Sequence, residues 1–104
     1  MFGLVVRFDC RDVQSAEGFD VLTAETVAQI TALEPGTLVY STHPVEGEPT
    51  ARVFYELYRD RGAFDDHNSQ PHTRRFLDTR ERFLASQRVE FLTAGPAKGL
   101  PRTT

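Results

Sequence analysis

His67 and His72 stand five positions apart with Pro71 between them, a short distance after Glu56 and Tyr58. Imidazole titrates close to neutral pH, so a histidine can take a proton from a bound molecule and return one later. A buried carboxylate such as Glu56 could fix the imidazole's tautomer, or have its own pKa raised by desolvation. A phenol such as Tyr58 could donate to a ligand oxygen. Each residue also has a plainer use. His67 could tie a helix to a strand by a hydrogen bond, His72 could cap the helical run that starts at Pro71, and Glu56 could pair with one of the chain's many arginines. Phe54, Phe64 and Phe76 suit a core or the lining of an apolar pocket.

The elements that would position these residues can be read from periodicity. Val53 to Tyr58 reads as a half-buried strand, with Phe54, Glu56 and Tyr58 on one face and Val53, Tyr55 and Leu57 on the other. Asp60 is the expected N-cap of the following helix, whose Ala63, Phe64 and His67 share a face. Pro71 interrupts that helix, and a second run aligns His72, Phe76, Thr79 and Phe83. Upstream, Leu4 to Asp9 alternates as a first strand. A linker, Cys10 to Gln14, precedes a helix capped by Ser15 and reaching Leu33. Its apolar positions are Phe19, Leu22, Val27, Ile30 and Leu33, and Glu34-Pro35-Gly36 stops it. Thr37 to Thr42 is a second strand, joined to the third by the loop PVEGEP. Val89 to Thr93 is the fourth.

The order β-α-β-β-α-β predicts a ferredoxin-like α+β fold: an antiparallel sheet with its helices on one face. That leaves the third strand's other apolar face uncovered, which predicts a homodimer built on a two-fold interface. One domain spans residues 1–104, with an irregular tail from about residue 95, ordered if at all by a partner.

Composition removes several function classes. The net charge of −3 offers no footprint for nucleic acid. No stretch approaches the roughly 20 apolar residues of a membrane span, and MFGLVVRFDC is too short an apolar run for a signal peptide. A lone cysteine, Cys10, makes no disulfide framework and fits a reducing, cytoplasmic setting. His67 and His72 lack the i, i+4 spacing of a helical zinc pair, and neither a phosphate loop nor a haem-attachment motif is present. No metal and no cofactor is therefore expected; the expected partner is a small molecule. Arg74, Arg75, Arg80 and Arg82 are interleaved with Asp78 and Glu81, which reads as a solvated helix face.

The pattern Glu56-x-Tyr58-x-Asp60-x-x-Ala63-Phe64-x-x-His67, then Pro71-His72 and Phe76, resembles the antibiotic biosynthesis monooxygenase (ABM) domain, of the dimeric α+β barrel superfamily. The resemblance covers nearly the whole chain. It implies a dimeric barrel with a pocket between sheet and helices in each subunit. In some members it implies cofactor-free oxidation of electron-rich phenols to quinones, the substrate itself reducing oxygen. Where those members carry asparagine, tryptophan and tyrosine, this chain has Phe54, Tyr58 and Phe64. The expectation is an oxidoreductase: a cofactor-independent monooxygenase acting on a hydrophobic aromatic or quinol-type molecule. His67, Glu56, Tyr58 and His72 would do the chemistry, and Phe54, Phe64 and Phe76 would line the pocket. The alternatives are a non-catalytic small-molecule binding protein and a cofactor-free isomerase that uses His67 and Glu56 for proton transfer.

Overall fold

Alternating apolar residues on β1 (Phe2–Cys10) bury Leu4, Val6 and Phe8 on one face, and the rest of the chain is laid against that strip. The structure is a computed structural model and describes residues 1–101. After β1 come α1 (Val13–Leu33), β2 (Thr37–Val45), β3 (Glu48–Tyr58), α2 (Arg61–Ser69), α3 (Pro71–Thr79), a 3₁₀ turn (Arg80–Arg82) and β4 (Leu84–Leu92). The four strands are antiparallel in the order β2-β3-β1-β4, as the ferredoxin-like α+β reading requires. In the register, Leu4 faces Glu56 and Val6 faces Phe54. Glu56 in turn faces Tyr40 of β2, and Leu4 and Val6 face Phe91 and Val89 of β4. All of these lie on the helix-bearing side.

The core is mainly aromatic. Phe8 meets Phe54 edge-on at 4.7 Å and Phe19 of α1 at 5.0 Å, while Phe76 of α3 lies 5.7 Å from Phe19. Such offset and edge contacts add about 0.5–1.5 kcal/mol each beyond their burial. One ion pair fastens α1 to the sheet. Buried Arg52 grips Asp20 through two parallel bonds of 2.8 and 3.0 Å. This bidentate geometry is the strong form of the interaction.

Several boundaries differ from the sequence reading. Asp12, not Ser15, caps α1: its carboxylate accepts the Ser15 N–H at 2.7 Å, so the supposed linker shortens and the helix starts at Val13. PVEGEP is mostly strand. The β2–β3 connection is the two-residue turn Glu46-Gly47, with Gly47 at φ +78°, where a side chain would be strained. Pro44 is tolerated because β2 is an edge strand, and Pro49 because β1 pairs with β3 only as far as Ala51. The second helical run ends at Thr79, so Phe83 is outside it, and the chain enters β4 at Leu84. Pairing with β1 draws polar Ser86, Gln87 and Arg88 into that strand despite their lack of apolar alternation.

The outer face of the sheet carries Val5, Val39, Tyr55 and Leu57, interspersed with Arg7 and Ser41. No helix covers it. From Thr93 to Pro101 the chain is irregular, and this segment lies beside Gly3, Tyr55 and Leu57, enclosing with them and Leu92 a cavity of about 600 Å³.

Candidate active site

The site is organised by a residue that the sequence reading treated only as a helix stop. Glu34 follows the last residue of α1; its N–H bonds back to the Ile30 carbonyl at 3.0 Å, and its own carbonyl accepts from Thr37 at 3.1 Å. Pro35 and Gly36 turn the chain into β2. A Cβ on Gly36 would stand 2.7 Å from that of Ala63, so the missing side chain is what lets the start of α2 lie against this turn. Asp60 caps α2 as expected, accepting from the Ala63 N–H at 2.8 Å. One turn later, His67 comes down over the Glu34 carboxylate.

Glu34 then gathers three donors. His67 Nδ1 lies 2.7 Å from Oε1, Thr37 Oγ1 lies 2.7 Å from the same oxygen, and His72 Nε2 lies 2.5 Å from Oε2. Burial by itself would raise the Glu34 carboxyl, but the bonds from His67, Thr37 and His72 outweigh it and lower the pKa to about 2. A carboxylate can only accept, so Nδ1 of His67 must carry the proton it donates. That leaves Nε2 facing the second carboxylate, with Glu56 Oε1 at 3.9 Å. Tyr58 does not pair with His67; its hydroxyl donates to Glu56 Oε1 at 2.5 Å. The imidazole is flanked by the rings of Tyr40 and Tyr58, with centroids at 5.5 and 5.3 Å. The two imidazoles approach different oxygens of Glu34 as hydrogen-bond donors, and among the described residues no group of His, Cys, Asp and Glu is arranged to hold a metal ion.

Beside this network is a cavity of about 190 Å³ between the sheet and α2 and α3. His67, Glu56 and Tyr40 meet it from one side, Arg80 and Asn68 add polar groups, and Phe64, Phe76, Leu77, Val89 and Phe91 form apolar walls. The β4 side is open, since Val89 is 41% and Phe91 61% exposed. The larger cavity under the tail is lined by no histidine, carboxylate or arginine, so the chemistry is assigned to the smaller one.

The residues singled out in the sequence separate accordingly. His67, Glu56, Phe64 and Phe76 line the cavity. His72 binds the other carboxylate oxygen of Glu34 and is not among the lining residues. Phe54, 1% exposed, is packed in the core and is not among the lining residues. Tyr58 is fully buried behind Glu56, and Tyr40 of β2 takes the pocket position. Glu56 pairs with no arginine among the described residues; the buried arginine of its strand, Arg52, is taken by Asp20. Arg80 leaves the supposed solvated face and turns into the pocket, whereas Arg75 stays outside and pairs with Glu25. Cys10 is buried, and desolvation raises its pKa, as befits an inert core thiol.

Glu56 and Glu34 are pushed in opposite directions. Burial raises the Glu56 pKa, and the Tyr58 hydrogen bond and His67 offset this only in part. A raised folded-state pKa favours folding below the unfolded value and loses that contribution as pH climbs through the folded one. Glu56→Gln keeps an acceptor for the Tyr58 hydroxyl and removes the buried charge. Thermal melts at pH 7–8 should therefore show the variant more stable than the native chain, with the difference fading toward pH 4. A lower melting point for the variant at pH 8 would mean that the carboxylate is stabilised by more than the groups named here.

The family model for antibiotic biosynthesis monooxygenase matches residues 1–79. Among solved structures, the chain is similar to one described as an antibiotic biosynthesis monooxygenase, with 24% identity, a TM-score of 0.82, and coverage of 92% of this chain and 100% of that one. It is also similar to Rv0793 from Mycobacterium tuberculosis, with 22% identity, a TM-score of 0.83, and coverage of 92% and 96%. A third, PA3566 from Pseudomonas aeruginosa, shows 22% identity, a TM-score of 0.81, and coverage of 91% and 94%. At these identities the structures speak for the fold. No curated protein matches the chain. No helix among the described residues is long and apolar enough to cross a membrane. With the family model spanning most of the chain, from β1 to the end of α3, this protein belongs to the antibiotic biosynthesis monooxygenase family.

Proposed function

We propose that the protein is a cofactor-independent monooxygenase for a hydrophobic aromatic or quinol-type small molecule, working as a cytoplasmic homodimer. The observation that carries this reading is His67: an imidazole whose Nδ1 proton is committed to Glu34 and whose Nε2 side meets an apolar cavity. Such a group is a base held in one orientation beside apolar walls.

The chemistry asks little else of the protein. His67 Nε2 takes a proton from an activated C–H or O–H of the substrate, and the aromatic system holds the electron pair. That anion reduces dioxygen and a C–O bond forms, giving a hydroperoxide. Loss of the second proton from the same carbon then breaks the O–O bond. One oxygen stays as a carbonyl and the other leaves as water, so that R₂CH₂ and O₂ become R₂C=O and H₂O. Glu56, with its raised pKa, is suited to exchange the second proton, and the Tyr40 phenol to donate to the departing oxygen. The test is oxygen uptake by metal-stripped protein with anthrone-like and quinol substrates. Uptake should be matched by quinone formation; a requirement for added flavin or metal would defeat the reading.

The dimer rests on the outer sheet face, where Val5, Val39 and Tyr55 stay half-exposed while Leu57 is already buried beside the tail; a second copy would complete the burial of that apolar strip. Sedimentation at micromolar concentration should give twice the chain mass. A stable, soluble monomer under those conditions would remove the dimer.

A further inference from the structure

Arg80 is the unexplained charge of the pocket. It ends α3 as the C-cap, where the chain tightens into the 3₁₀ turn, and its side chain turns inward to line the cavity with His67, Glu56 and Tyr40. Its Nε is buried and has no hydrogen-bond partner. Among the described residues no carboxylate lies within ion-pair distance of it, whereas Arg7, Arg52, Arg59, Arg75 and Arg88 all have one. A guanidinium cannot shed its charge, so leaving it unpaired against apolar walls is costly unless something fills the place.

We propose that Arg80 is the anion-binding group of this pocket, and that the ligand presents a weakly acidic oxygen, of phenol or enol type, to the guanidinium. The rest of the ligand lies against Phe64, Leu77, Val89 and Phe91. A weakly acidic oxygen suits the site better than a permanent carboxylate. A neutral phenol crosses the apolar mouth without desolvating a charge, and the buried Glu56 would repel a second fixed carboxylate. Once inside, the O–H proton passes to His67 Nε2, and the charge left on oxygen is met by Arg80. The pocket then holds an imidazolium and a phenolate in place of two neutral groups, with no change in net charge. The guanidinium is thus placed to stabilise charge that develops only after binding. The groups facing Arg80 in this account are Glu56 and Tyr40 from the sheet, His67 from α2 and Glu81 from its own turn. The inference deepens the proposed function, but the binding half of it stands without turnover.

The test uses 4-nitrophenol, whose anion absorbs visible light and whose neutral form does not, and its methyl ether 4-nitroanisole, on the full-length protein at mildly acidic pH. Nitrophenol should bind with the anion's spectrum, about tenfold or more tighter than the ether, the scale of a charge-assisted hydrogen bond. Arg80→Gln and Arg80→Met, each checked for a native melt, should lose that preference while still binding the ether. In His67→Gln the preference for the phenol should persist, though weaker, because Arg80 is intact; this separates failure of the anion site from failure of the base. Equal binding of phenol and ether by the native protein, bound nitrophenol that stays neutral, no nitrophenol binding up to its solubility limit, or an undiminished preference in both Arg80 variants would each overturn the proposal.

Discussion

His67→Gln should lower turnover of a true substrate about 100-fold or more, the scale of a lost general base, while the protein keeps its fold and its assembly. Glutamine can still donate to Glu34 at the place of Nδ1, but it has no group that takes up a proton near neutral pH. His67→Ala should lose the same activity and also stability, because it leaves Glu34 Oε1 with Thr37 as its remaining close donor. Comparing the two variants separates chemistry from architecture. If activity merely follows the folded fraction in both, His67 is a structural tie between α2 and the end of α1. Full activity in a stable His67→Gln variant would remove the residue from the mechanism.

Glu34→Gln should cause the largest loss of stability. The Glu34 side chain is 3% exposed, and the pKa of its carboxyl falls from the ordinary 4.5 to about 2 on folding. A depressed folded-state pKa means that the ionised form favours folding. The contribution is complete above pH 4.5 and is lost as pH falls toward 2. The difference corresponds to about 3 kcal/mol at neutral pH, or roughly 10–20 °C in melting temperature for a chain of this size. Melts of the two proteins should differ most at pH 6–8 and converge as pH drops from 4.5 toward 2. A gap that stays constant across that range would show that the variant loses packing rather than a charge. The substitution also frees the tautomer of His67, since an amide can face Nδ1 with either its oxygen or its nitrogen. In ¹⁵N spectra of the imidazoles, His67 should be protonated at Nδ1 in the native protein and a mixture of tautomers in the variant.

The faces of β1 and β3 were legible because they depend on local alternation, and the arrangement of the sheet followed from the element order; the polar first half of β4 was not legible, because only its pairing with β1 makes it strand. Leu4, Val6 and Phe8, and then Phe54, Glu56 and Tyr58, mark their faces by spacing alone, and Asp60 marks the start of α2. The site was only half legible. His67 and Glu56 stood out as polar groups on apolar faces. Glu34 did not, because its imidazole partners are 33 and 38 positions away and its local context, Glu-Pro-Gly, already explains itself as a helix stop. The two tyrosines were exchanged for a related reason. Alternation places Tyr58 on the inner face but does not say how far along the strand the cavity extends, whereas Tyr40 is brought opposite Glu56 by strand pairing. Arg80 was hidden by the assumption that the second helical run continued past Thr79. Once the chain tightens there, a residue that would have pointed to solvent points inward.

The central claim is that one atom of dioxygen is placed on a substrate by the protein alone, and isotope labelling tests it most directly. Metal-stripped, flavin-free protein would be incubated with a phenolic substrate under ¹⁸O₂ in ordinary water, and in parallel under ¹⁶O₂ in H₂¹⁸O, with His67→Gln as the control. The account predicts that the new carbonyl oxygen carries the label from ¹⁸O₂ and, in a promptly quenched sample, not from water, and that the control forms product about 100-fold more slowly. A product whose oxygen comes only from water, or a rearranged product formed without oxygen consumption, would contradict it and leave His67 and Glu56 as the proton-transfer pair of an isomerase.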